Sequence, residues 1–126
     1  MEWRVEYLED HHVVELFMIG PITGPDLMAS VTDRIALGRE KSVTNFIVNA
    51  EKLIAQDSAV MDVLDLPEVK YIEEEMERDT RLALLVPKDP DSTWLGEFYE
   101  TVCVNRGWQV HICEDHDSAV RWLLGE

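Results

Sequence analysis

The sequence predicts a mixed α/β fold, on three observations. Leu82–Val86 is a short unbroken apolar run, the pattern of a strand buried on both faces. Trp94–Asn105 places Leu95, Phe98, Tyr99 and Val102 at spacings of three and four, which is one face of a helix. Gly107 stands where a helix C-cap belongs, and Trp108–Cys113 begins a second strand at once. Together these make a β-α-β unit, which implies parallel strands joined by right-handed helical crossovers.

The other elements follow in chain order. Trp3 to Glu9 alternates large apolar and charged residues, a half-exposed strand with Trp3, Val5 and Tyr7 on one face. Glu9–His12 is polar and turn-like, and Val13–Ile19 is a second, more apolar strand, so the two form an antiparallel hairpin. Gly20–Asp26 ends that strand and starts a helix, with Thr23 and Asp26 resembling a capping box and Pro25 tolerated in the first turn. Leu27, Met28, Val31 and Ile35 are its expected buried stripe, and Gly38–Lys41 its end. Thr44–Val48 is a third strand, and Ala50–Gln56 reads as loop. Asp57-Ser58 offers an N-cap for a short helix ending at Leu64, and Pro67 starts another that runs to Met76. The acidic run Glu73–Asp79 opposes the helix macrodipole, so fraying is expected there. Ser92 or Asp91 caps the Trp94 helix, and Asp115 or Asp117 caps a last helix carrying Ala119, Val120, Trp122 and Leu123. The expected order is β-β-α-β-α-β-α-β-α, with a five-stranded sheet. No repeat, low-complexity tract or linker divides residues 1–126, so one domain is expected.

Composition narrows the function classes. The chain has 26 acidic against 11 basic residues, a net charge of −15, which argues against nucleic acid and anionic membrane surfaces as partners. No apolar run reaches the length of a membrane span, and the start Met1–Arg4 lacks the pattern of a signal peptide, so a cytoplasmic location without membrane insertion is expected. Cys103 and Cys113 form no C-x-x-C and are expected as reduced, partly buried thiols.

Catalytic signatures are sparse. There is no G-x-S-x-G, and Gly20–Gly24 lacks the Lys-Ser/Thr ending of a phosphate loop. Glu9–His12 and Glu114–Asp117 both hold metal-ligand types, but the expected topology puts them at opposite ends of the sheet; no metal and no cofactor is expected. His111 lies inside a strand and reads as structural. Trp94 and Trp122 read as rim packing or a dimer surface.

Several stretches resemble one family. Leu66-Pro67, Arg81–Pro87, Phe98–Cys103, Asn105–Trp108, Ala119 and Trp122-Leu123 look like the STAS-like, or SpoIIAA-like, group of small bacterial cytosolic proteins. The resemblance implies a hairpin strand antiparallel to the first of several sequential parallel strands. It also implies a non-enzymatic regulatory or protein-interaction module. Classical members antagonise anti-sigma factors through a phosphorylatable Ser at a helix start, and Asp57-Ser58 matches the first two positions of that motif. This makes Ser58 the candidate phosphosite. The fold is also similar in outline to CRAL-TRIO lipid-binding domains, which gives the alternative of a carrier for a small apolar molecule.

Ligands of open parallel sheets bind beyond the C-terminal strand ends. Thr23, Asn49, Lys52, Lys88, Asp115 and His116 are therefore the candidate edge for a protein partner or small ligand. The exposed strand edge and the tryptophan surfaces offer a homodimer interface.

Overall fold

The computed structural model describes residues Met1–Glu126. Five strands form one mixed sheet in the order β1-β2-β3-β4-β5. They are β1 (Glu2–Leu8), β2 (Val13–Pro21), β3 (Asn45–Ile54), β4 (Arg81–Leu85) and β5 (Gln109–Ile112). β1 and β2 pair antiparallel, with Leu8 opposite Val13, while β2, β3, β4 and β5 run parallel. The expected hairpin and β-α-β unit are both present.

Helix α1 (Gly24–Lys41) joins β2 to β3, and Thr23 caps it by accepting the Asp26 N–H at 3.3 Å. Gly38 lies inside α1 and does not stop it; the ring of Phe46 packs where its Cβ would stand. The stop comes at Ser42, whose left-handed backbone lets its N–H reach the Arg39 and Gly38 carbonyls. Helix α4 (Thr93–Asn105) ends where expected, with Gly107 at φ +83°, a conformation that favours glycine. Helix α5 (His116–Leu123) is capped by Asp115, which accepts the Ser118 N–H at 2.8 Å.

Two expectations between Asn49 and Met76 are corrected. The stretch Ala50–Gln56 is not loop: β3 continues to Ile54 because Lys52, Leu53 and Ile54 pair with Ile19, Gly20 and Pro21 beyond a register shift in β2. The two helices broken at Pro67 are instead one helical run over residues 57–73. It passes through a 3₁₀ turn (Asp57–Ala59), α2 (Val60–Asp65), a π turn (Leu66–Lys70) and α3 (Tyr71–Glu73). Proline has no N–H to give to an α-helical ladder, and the wider π turn carries the chain past it. Trp108 Nε1–H holds this turn by donating to the Pro67 carbonyl at 3.1 Å.

The sheet has two unlike faces. One carries Val14, Leu16, Met18, Phe46, Val48, Leu82 and Leu84, covered by α1, α4 and the 57–73 run in a core of 23 buried residues. The other carries Val13, Ile47, Ala83 and Leu85, covered by α5 through Ala119, Val120 and Leu123 in a core of 8. Alternation along each strand sends neighbouring side chains to opposite cores. Each face also buries one charged side chain, Arg34 on the first and Glu15 on the second.

Candidate functional site

Arg34 belongs to the buried stripe of α1, which reads Leu27, Ser30, Val31, Arg34, Ile35 and Gly38. Its side chain is 0 % exposed. Nη2 donates to the Tyr71 hydroxyl at 2.9 Å, while Nε and Nη1 have no hydrogen-bond partner. None of the ion pairs of the chain includes Arg34. Besides the Tyr71 hydroxyl, two rings face its charge: the guanidinium carbon lies 5.1 Å from the centre of the Phe46 ring and 5.6 Å from that of Tyr71.

Arg34 is one of 17 residues that line an apolar cavity of about 50 Å³, 14 of them hydrophobic. The sheet supplies Leu16, Met18, Val48 and Leu84, the 57–73 run supplies Val63, Leu66 and Tyr71, and α4 supplies Leu95, Gly96 and Tyr99. Gly96 sets how close α4 comes, since a Cβ there would stand 2.7 Å from Val86 Cγ1. The Tyr71 and Tyr99 hydroxyls hydrogen-bond to one another, and Tyr71 meets Trp108 edge-on with centroids 5.6 Å apart.

The titratable groups beside Arg34 are held neutral. Burial raises Tyr71 above the usual phenol value and Tyr99 well above it, against the lowering effect of Arg34. Burial likewise pushes the Cys103 thiol to about 12. At neutral pH the guanidinium is thus the one charge in this wall of the cavity.

On the opposite face, Glu15 is 1 % exposed and fully engaged. His116 Nε2 lies 2.6 Å from Glu15 Oε1, and Asn49 Nδ2 donates to Glu15 Oε2 at 3.2 Å. Asn49 Oδ1 in turn accepts the Glu51 N–H at 3.2 Å. Glu51 pairs with Lys88 at 3.2 Å. Lys52 lines a second hollow, of about 130 Å³, with Arg4, Phe17 and Asn49, where the Arg4 guanidinium stacks 3.9 Å above the Phe17 ring.

Of the edge residues expected from the sequence, Asn49 and His116 therefore meet, on a carboxylate that sequence reasoning passed over. Lys88 is tied in through Glu51. Thr23 and Asp115 serve as helix caps; the Ser118 backbone N–H holds the Asp115 carboxyl below the ordinary aspartate value. Ser58 is exposed inside the 3₁₀ turn and caps nothing, since the cap position is Gln56 and makes no side-chain bond. Ser92 occupies the cap position of α4 without capping it; its hydroxyl accepts the Ala55 N–H at 2.9 Å and donates to Asp89 at 2.8 Å.

The remaining candidates have local partners. His12 Nδ1 lies 2.8 Å from the Tyr7 hydroxyl, and its Nε2 lies 3.0 Å from the Ser42 carbonyl. No group of three or more His, Cys, Asp or Glu side chains is placed to hold a metal ion. His111 is exposed rather than buried in the sheet, with its ring 5.2 Å from that of Trp122. Both cysteines are free and buried. Trp94 is exposed and Trp122 packs against Arg81 and His111, so neither lines the cavity.

Both missed charges left a trace in the sequence. Glu15 is the one charged residue in Val13–Ile19, otherwise a run of apolar residues. Arg34 falls three residues after Val31, on the apolar spacing itself. In comparisons with known proteins, no family model matches the chain and no curated protein matches its sequence. No helix is long and apolar enough to cross a membrane.

Proposed function

We propose that this protein is a non-enzymatic binding module of the STAS-like kind, and that it carries a small, mainly apolar molecule in its core. The observation that carries this reading is the apolar cavity between the sheet, α1, α4 and the 57–73 run. Its volume sets the ligand's size. About 50 Å³ is several times the ~10–15 Å³ that admits one water, yet far below the ~300 Å³ where drug-sized pockets begin. A ligand of a few heavy atoms fits, and a full lipid chain does not.

The 57–73 run is the natural door. It is assembled from short turns, its 3₁₀, α2, π and α3 pieces have no side-chain caps, and Val63, Leu66 and Tyr71 on it wall the cavity. A methyl-detected NMR titration with 1-butanol tests the reading. Saturable shifts are expected at Val63, Leu66 and Leu95, and Ala50→Leu, which fills the cavity, abolishes them. Unmoved methyl signals in the wild type at saturating 1-butanol would refute it.

A second reading, a regulatory interaction module, draws on a different observation. The same run exposes Met61 and Ile72, 64 % and 57 % accessible, and Met61 follows the exposed Ser58 within one helical turn. A partner docking there would be released or recruited by phosphate on Ser58. Pull-downs with Ser58→Ala and Ser58→Asp should then differ in their partners; identical sets would end this reading.

A further inference from the structure

The geometry points to a ligand that carries one negative charge: a short-chain monocarboxylate, its tail among the apolar walls of the cavity and its carboxylate against Arg34. This rests on the cavity reading above and adds to it the chemistry of the ligand's polar end. Three observations support it.

First, Arg34 is 0 % exposed and its Nε and Nη1 donors are orphaned. A guanidinium has five N–H donors and no acceptor, so only an acceptor brought to it can use them. A buried cation left uncompensated is strongly unfavourable, and a carboxylate supplies both the counter-charge and the lone pairs.

Second, the protein supplies no such group. Arg34 has no acidic partner, and its neighbours Tyr71, Tyr99 and Cys103 are protonated at neutral pH, burial raising each further above its ordinary value. Phe46 and Tyr71 soften the charge through their ring faces, but a ring face does not replace the missing in-plane acceptors.

Third, the lining limits the charge to one. Arg34 is the sole cationic residue among the 17, and 14 of the others are hydrophobic. A phosphate dianion would bury a second charge with no further cation to meet it. A monocarboxylate with a short alkyl tail matches one guanidinium, an apolar wall and a small volume together.

The experiment compares butanoate with 1-butanol, a probe of like shape without the charge, by NMR titration of the wild type and of Arg34→Met. Butanoate is expected to bind the wild type at least ten-fold more tightly than 1-butanol and to shift the Arg34 Nε–H signal. Arg34→Met should lose that preference while still taking 1-butanol. Equal affinities in the wild type would overturn the assignment of a charged ligand and leave the apolar carrier standing. Failure of both probes would overturn both. The wild-type comparison needs no variant, so the proposal is decided even if Arg34→Met folds poorly.

Discussion

The two faces of the sheet each bury one charge, and they treat it in opposite ways. On the α5 face, Glu15 has His116 on one oxygen and Asn49 on the other. On the α1 face, Arg34 has a single hydroxyl and two orphaned nitrogens. Both residues are almost fully buried. The difference lies in what the fold brings to them. Glu15 sits beside a strand and a helix start that deliver polar groups. Arg34 is met by Tyr71 and the Phe46 ring, among Leu, Val and Met residues that line the same cavity. A fully paired buried charge is a structural joint, and an under-paired one marks where something else fits.

The largest expected effect comes from converting the first situation into the second. The double variant Asn49→Ala/His116→Ala strands the Glu15 carboxylate. Urea denaturation should show a loss of about 3 kcal/mol, the low end for breaking a buried pair, because His116 is half-exposed and its removal admits water. A loss near zero would mean that Glu15 is not held by these partners.

Next in size is Tyr71→Phe. It removes the one acceptor of Arg34 and the partner of the Tyr99 hydroxyl, at a cost of ~1–3 kcal/mol. The same variant should bind butanoate no less tightly, since it frees another donor. Weaker butanoate binding would show that Tyr71, not Arg34 alone, holds the anion.

The smallest effect is an electrostatic one outside both cores. Arg39, and after it Lys70, hold the Glu74 carboxyl below its ordinary value of 4.5. Its folded value therefore lies below its unfolded one. The contribution is present above the unfolded value and is lost as pH falls through the folded one. Glu74→Gln should cost below ~1 kcal/mol at pH 7, and the gap to wild type should close as pH drops below 4.5. A gap that persists at pH 3 would assign the effect to packing.

Much of this architecture was readable from residue order. The strands alternate or run apolar, Gly107 marks a helix end, and Thr23 and Asp115 cap the helices the sequence assigns them. The misreadings share a cause. β3 extends past Asn49 because β2 extends beside it, a pairing between segments more than thirty residues apart that no local pattern encodes. Pro67 breaks a helix by local rule, but the π turn and the Trp108 bond to its carbonyl keep the run continuous. The edge residues Asn49 and His116 were legible as candidates, but their meeting point Glu15 was not, because the chain must turn back from the edge strand β5 across the sheet to bring His116 there. Arg34 stood on the apolar stripe in plain sight. A long basic side chain on a helix is ordinarily free to reach solvent, and only the packing of α4 and the 57–73 run closes that route.

The contrast between the two buried charges is tested most directly by the equilibrium stability of Arg34→Met without added ligand. Replacing a buried, under-paired cation by an apolar side chain of similar length removes the cost of that burial, against the loss of one hydrogen bond to Tyr71 and two ring contacts. Stability equal to wild type, or higher by ~1–4 kcal/mol, is expected. A loss of about 3 kcal/mol or more would show that Arg34 is fully compensated within the fold, and that no ligand is needed to complete it.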